Sequence, residues 1–363
     1  MKRNMKHIAW IAAGASMLFT ACIGDLDTLP LNPSDSTSET VYGADESGYI
    51  AGLTKLYFNF VSNETTDLQV SDAGASELVR AFWTVQEVTS DACKCAWEND
   101  AWVRAMNTNT WSDADNDATY AVYVRTLQGI AYTNEYLRQT ASDRLSDRGV
   151  SSELAAKIQG FRAEARFLRA WFYYNILRQY GPCVLLGDEV LPGDLDRDDV
   201  KMNLPRSSYD ECVDYIVGEL DDIIDNERLP LHFTSQADKD YGRATLAMCM
   251  GLKSRVLLLA ASPQFNGNPA YANVVNNDGK HLFATERDPE KWKRAADAAK
   301  AIIDLNIFDL YKEYHTDGTL DPYMSCRNVF LENWNSEVMM VRIYNNLSSW
   351  ERSASPRQFS GYE

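Results

Sequence analysis

Between Ser151 and Val184 apolar residues return every three or four positions: Leu154, Ile158, Phe161, Ala165, Leu168, Phe172 and Ile176. That spacing draws one stripe down an α-helix. A second set, Phe167, Trp171, Tyr174 and Leu177, widens the stripe until Arg162, Glu164, Arg166 and Arg169 remain as a narrow charged edge. A helix apolar over most of its circumference belongs in the middle of a helical domain. Gly181 and Pro182 end it, the glycine suited to a left-handed stop and the proline unable to continue.

The other periodic stretches also read as helix. One begins at about Glu46 and carries through Ala51, Leu53, Leu56 and Phe60, and a short one covers Glu77 to Val88. Another starts at Ala118, with Tyr120, Tyr123, Leu127, Ile130, Ala131 and Leu137 on one side. Ser208 opens 208–226, which turns Val213, Ile216, Val217, Leu220, Ile223 and Ile224 inward. Its partner, Ala244 to Ala261, stops at Ser262-Pro263. Pro289 to Asp304 starts with proline, as helix entry prefers. Its Trp292, Ala295, Ala299 and Ile302 resemble one arm of a tetratricopeptide hairpin.

These helices suggest stacked hairpins of a solenoid kind. Between them lie irregular stretches: Asp-rich Ser62 to Ala75, Trp-dense Asp91 to Asp117, and acidic Gly187 to Pro205. Glu337 to Arg342 reads as a short strand. The absence of strand–helix alternation and of a glycine-rich phosphate loop excludes a doubly wound nucleotide-binding fold. The expected class is all-α: tetratricopeptide-like hairpins, long irregular loops and a few short strands.

The amino terminus adds a compartment. Lys2, Arg3 and Lys6 precede an apolar run from Ile8 to Phe19, and Thr20-Ala21-Cys22 follows. The run falls short of the roughly 20 residues a helix needs to cross a bilayer, so it reads as a secretory signal. Small residues before Cys22 point to a bacterial lipoprotein signal over 1–21, with Cys22 becoming the lipidated first residue. Ordinary cleavage nearby, with Cys22 a bystander, is the alternative. The polar, proline-bearing stretch that follows makes 22–45 a tether, and 46–363 the helical domain.

Net charge is −17, spread along the chain, which removes nucleic acid and anionic lipid surfaces from the candidate partners. The 9 Trp and 19 Tyr supply aromatic faces that could stack on sugar rings, beyond those needed for the core. Cys93, Cys95, Cys183, Cys212, Cys249 and Cys326 are scattered in apolar contexts, unlike a small disulfide scaffold. His232, His281 and His315 are isolated from one another, leaving little for a metal site or a Ser-His-Asp triad. Asp113 to Asp117 has the opening spacing of a calcium loop. However, Ala118 and Val124 stand where the glycine and the final acid belong, which favours a solvated acidic loop. No cofactor is expected.

Four segments, in order, resemble the SusD/RagB family of nutrient-binding outer-membrane lipoproteins. They are Cys22 to Pro30; FRAEARFLRAWFYYNILRQYGPCVLL at 161–186; Tyr241 to Thr245 leading into LKSRVLLLAASP; and Trp292 to Asp304. The resemblance implies an all-α fold on tetratricopeptide-like hairpins. It also implies a non-catalytic role: capturing oligosaccharide at the cell surface for a TonB-dependent transporter.

Asp72 to Asn99 resembles the binding region of the family's starch-binding branch. The resemblance carries ligand roles to Arg80 and Trp97, and to Asn99 or Asp100 in place of an asparagine; Cys95 stands where a first tryptophan is found. An indole face covers the apolar side of a pyranose while guanidinium and amide groups bond its hydroxyls. A purely structural use, with Arg80 on a loop carboxylate and Trp97 in the core, is the competing reading. Tyr344 and Trp350, in a loop of the second half, are candidates by location, whereas Trp334 is as easily structural. Family chains extend beyond the position matched by Glu363, so a C-terminal part of the family fold is expected to be missing.

The same architecture could serve peptides or other nutrients. A different class is an all-α glycoside hydrolase using Asp91, Glu98 and Asp100 beside Trp97, but acids are too frequent here for a nearby pair to weigh much. A scaffold whose binding site has decayed is a third possibility.

Overall fold

The structure is a computed structural model that describes residues 41–61, 107–110, 112, 118–191, 203–226, 228–233, 240–332 and 334–340. Among these the architecture is helical. The elements are α1 (Ser47–Val61), α2 (Ala118–Gln139), α3 (Ser142–Asp147), α4 (Ser152–Tyr180), α5 (Tyr209–Asp225), α6 (Leu246–Ala261), α7 (Glu290–Asp304), β1 (Glu313–Tyr314), β2 (Leu320–Asp321) and α8 (Pro322–Asn328). The main helices pack in sequence: α1 against α2 and α4, α2 against α4, α4 against α5, α5 against α6, and α6 against α7. That order is the stack of hairpins expected from the periodicity. None of the described helices is long and apolar enough to cross a membrane.

The central helix α4 has 29 residues, a length of about 43 Å at 1.5 Å per residue. At its start the Ser151 hydroxyl accepts the Leu154 N–H at 3.2 Å. At its end Gly181 takes φ 78° and donates its N–H to the Leu177 carbonyl at 3.1 Å. The two apolar sets are buried almost throughout.

The charged edge is not what periodicity suggests. Arg162 and Arg166 lie at partly exposed positions, but Glu164 and Arg169 are 4% and 2% exposed. Each is tolerated because another element delivers an opposite charge to it.

On α2, Ile130 and Leu137 face the core as expected, but Leu127 and Ala131 are exposed. The buried face instead includes Thr126, Thr133 and Asn134. Polar side chains can lie there because they are bonded: Thr133 donates to the Gly129 carbonyl at 2.8 Å, and Asn134 accepts from Arg169 at 2.7 Å. Gly129 marks a close approach of α2 and α4, since a Cβ there would stand 2.7 Å from the Phe172 ring.

Helix α5 opens with a capping box in which Ser208 Oγ accepts the Glu211 N–H at 3.3 Å and Glu211 accepts the Ser208 N–H at 2.7 Å. Helix α6 starts two residues later than the apolar pattern implies, because Thr245 is its cap and accepts the Met248 N–H at 3.2 Å. In α7 Ala295 is buried while Trp292 is 39% exposed. The small residue, not the indole, permits the close approach.

Two further features depart from expectation. The six-residue α3 has a single buried apolar residue, Leu145, and hence no periodicity to announce it. Residues 334–340 form turns, not the strand expected from Glu337 onward. Their apolar side chains seat the loop instead: Met340 packs on the core, and Met339 lies where a Cβ on Gly251 of α6 would be. The strands among the described residues are β1 and β2, antiparallel, with Glu313 opposite Asp321 and Tyr314 opposite Leu320. The expected helix at 77–88 lies outside the described residues.

Candidate functional site

Arg80, Trp97, Asn99, Asp100, Tyr344 and Trp350 lie outside the described residues, as do Cys22, Asp91, Cys93, Cys95, Glu98 and the Asp113–Asp117 run. Among the described residues, the second half forms a cleft with the chemistry sought from those positions.

The cleft is built on α8 and the β-hairpin. Asp321 caps α8 by accepting the Met324 N–H at 2.9 Å, and Pro322 supplies a preset first turn. Ser325 donates to the Asp321 carbonyl at 2.7 Å and accepts the Glu313 N–H at 2.8 Å, which fastens the hairpin to the helix. Glu313 Oε1 then receives two donors, the Tyr311 hydroxyl at 2.6 Å and the Asn328 amide at 3.0 Å. The return segment closes the frame. Glu337 accepts the Tyr311 N–H at 2.9 Å, and Ser336 accepts the Asp309 N–H at 3.2 Å.

What remains open is a cleft of about 480 Å³ whose lining includes Asp309, Tyr311, Lys312, Tyr314, Trp334 and Asn335. Its aromatic groups are held differently. Tyr314 is 59% exposed. Trp334 is half-buried and stacks on His232 at 5.6 Å, while Tyr241 meets it edge-on at 4.7 Å. Phe308 supports His232 from the side at 4.8 Å. Burial lowers the His232 pKa, so a neutral ring backs the indole at neutral pH.

The polar groups are similarly fixed. The hydrogen bond to Glu313 pushes Tyr311 up to about 12, and the same bond holds Glu313 below the usual carboxylate range. Lys312 lies 2.9 Å from Asp309, which lowers the carboxyl and raises the ammonium. A shallow cleft with indole and phenol faces beside a cation, carboxylates and an amide can cover the C–H face of a sugar and bond its hydroxyls. Among the described residues no group of three or more His, Cys, Asp or Glu side chains is placed to hold a metal ion.

Tyr311 and Tyr314 are not among the positions the sequence singles out, and Trp334 is ambiguous there. The available signal was Tyr311-Lys-Glu-Tyr314 followed by Asp317-Gly318, aromatic positions beside a turn.

A second cavity, of about 540 Å³, has Arg138, Arg162, Arg166, Arg169, Asp188 and Glu219 among its lining residues. Arg169 donates to Asn134 and Asp188 at 2.7 Å, to the Gly187 carbonyl at 3.0 Å and to Glu219 at 2.8 Å. Arg166 holds Glu219 and Asp222. Burial would raise the Glu219 carboxyl, but the two arginines outweigh it and keep it low. Carboxylates answer Arg166 and Arg169, so this lattice reads as a clamp that fastens the 187–189 turn and α5 onto α4.

The chain matches a family described as "Starch-binding associating with outer membrane" over residues 61–237. It is 28% identical over 257 residues to the starch-binding protein SusD of Bacteroides thetaiotaomicron, covering 70% of this chain and 41% of that one. A solved structure, BT4246, superposes with a TM-score of 0.57 at 26% identity, covering 77% of this chain and 42% of the other. A SusD homologue from Bacteroides thetaiotaomicron shares the fold at 19% identity, with a TM-score of 0.55, 80% of this chain and 47% of that one covered. The chain thus spans about two fifths of the length of the first two relatives.

Proposed function

We propose that this chain is a member of the SusD-like family of starch-binding proteins associated with the outer membrane, which it resembles in sequence and fold, and that it is a non-catalytic, glycan-binding surface lipoprotein. In this reading it captures oligosaccharides and delivers them to a partner TonB-dependent transporter. Cys22 carries the lipid that holds it on the outer membrane, facing the cell exterior. Arg80, Trp97, Asn99, Asp100, Tyr344 and Trp350 contribute ligand contacts.

The observation that carries the reading is the open cleft with Tyr311, Tyr314 and Trp334, braced by hydrogen bonds that keep its aromatic and polar groups in place. A preorganised face costs little ordering on binding, which suits a weak, reversible carrier. Calorimetric titration against a panel of oligosaccharides tests it: binding in the micromolar range or weaker, without release of new reducing ends, is expected. Reducing-end release would replace the binder with a hydrolase. Peptide binding with no response to any glycan would retain the fold and discard the sugar. Labelled palmitate in the wild type and not in Cys22→Ala tests the anchor. Co-purification with a TonB-dependent barrel tests the partner.

A further inference from the structure

Two of the cysteines that look scattered in sequence are neighbours in space. Cys183 follows the Gly181-Pro182 stop of α4, and Cys212 sits in the first turns of α5, directly after the Glu211 of its capping box. Their Sγ atoms are 3.8 Å apart, and the side chains are 5% and 0% exposed. The backbone holds them together, since the Ser207 N–H donates to the Cys183 carbonyl at 2.8 Å and the Cys212 thiol faces that same carbonyl at 3.8 Å. The two thiols are not equivalent. The bond to Cys212, with burial, raises Cys183, while that same bond lowers Cys212. Cys249 and Cys326 are the other free thiols among the described residues, one buried and one exposed.

We propose that Cys183 and Cys212 form a cross-linking site, joined by a disulfide in the exported chain. An S–S bond is about 2.05 Å long, so each sulfur has to move by only about 1 Å. The chemistry is exchange with an external disulfide oxidant, small-molecule or protein. The Cys212 thiolate attacks one sulfur of the oxidant, forms a mixed disulfide and releases the first thiolate. Cys183 then loses its proton, and its sulfur attacks the Cys212 sulfur and expels the second thiolate. Two thiols of the chain are oxidised, and one external disulfide is reduced to two thiols. Burial of both sulfurs means that the oxidant acts before α4 and α5 close on each other. The bond then ties the end of the central helix to α5 next to the turn where Gly187 and Asp188 satisfy Arg169.

The proposal rests on the export part of the functional reading and not on the ligand. It is tested on the full chain, recovered from cell fractions unfolded in denaturant containing N-ethylmaleimide so that buried free thiols are capped, digested without reductant and mapped by mass spectrometry. The expected result is a linked pair of peptides containing Cys183 and Cys212, in the envelope fraction. A second arm incubates purified full-length chain, reduced and unfolded, in oxidised glutathione during refolding. There the same bond forms, and later reduction lowers Tm by about 5 °C, a sensitivity that Cys212→Ala lacks. Maleimide on both cysteines in the envelope fraction, or no bond in the glutathione arm, overturns the cross-link. A chain found outside the envelope with both thiols free, yet forming the bond in glutathione, overturns export and leaves the geometry standing. Glycan titration is read separately from both.

Discussion

Arg243, in the turn leading into α6, grips Glu164, in the middle of α4, across 79 residues of sequence. Its Nε lies 3.0 Å from Oε2 and its Nη2 bonds Oε1. The Tyr57 hydroxyl donates to the same carboxylate at 2.6 Å and accepts the Ala244 N–H at 2.8 Å, so α1, α4 and the start of α6 meet at one charge. Arg243→Leu strands a carboxylate whose side chain is 5% exposed. Breaking such a pair costs roughly 3 kcal/mol, somewhat less here because Arg243 is itself partly solvated. Urea unfolding should show that loss, and adding Glu164→Gln should return about half of it. A single-variant loss within error of zero would remove the pair from the account.

The pH responses of buried Glu164 and partly buried Glu219 have opposite signs. Glu219 has a folded pKa below its unfolded value of 4.5, because Arg166 and Arg169 outweigh burial. Its contribution is present above that value and is lost as pH falls through the folded pKa. Burial outweighs Arg243 at Glu164 and raises its pKa, so its contribution is full below 4.5 and is lost as pH rises through the folded pKa. Thermal unfolding from about pH 3 to about pH 7 should therefore narrow the wild-type advantage over Glu219→Gln toward acid. Relative to Glu164→Gln, the wild type should instead gain toward acid. Parallel curves for both variants contradict the assignment.

Gly129→Ala probes the contact between α2 and α4. The added methyl would meet the Phe172 ring at 2.7 Å, and that ring is fully buried. Overpacking of this kind costs about 1–3 kcal/mol, against the small gain in helix propensity that alanine would give on an open face. Chemical denaturation gives the sign directly, and a stabilised variant would show that the helices are not in contact there.

Tyr314→Ala should weaken oligosaccharide binding by roughly 5- to 30-fold, the loss of one aromatic face worth about 1–2 kcal/mol, with little change in Tm because the ring is largely exposed. Trp334→Ala should weaken binding and also lower Tm, since its indole packs between His232 and Tyr241. The comparison with Arg80→Ala and Trp97→Ala in the same titrations decides which half of the chain holds the principal subsite. Unchanged affinity in Tyr314→Ala would confine ligand contact to the other positions.

The helices were legible because their information is local. Leu154 to Ile176 carries its period in adjacent residues, Ser208 and Glu211 spell out a cap within four positions, and Gly181 announces a stop by its own backbone freedom. Family resemblance was legible for the same reason, as a run of residues around one central helix. By itself, then, the sequence determined the all-α class, the order of the hairpins and the family resemblance. Tertiary structure alone decided which charges are buried, which cysteines are neighbours and where an aromatic cleft opens. Arg169 looks like an exposed edge until Asn134, Gly187, Asp188 and Glu219 are brought to it. Cys183 and Cys212 stay unrelated until the start of α5 returns to the end of α4. Tyr314 and Trp334 become one surface only when Ser325 and Glu337 draw the hairpin, α8 and the following turn together. Hydrophobic period is written along the chain, whereas ion pairs, sulfur contacts and binding faces depend on distances between segments far apart in sequence, which only packing sets.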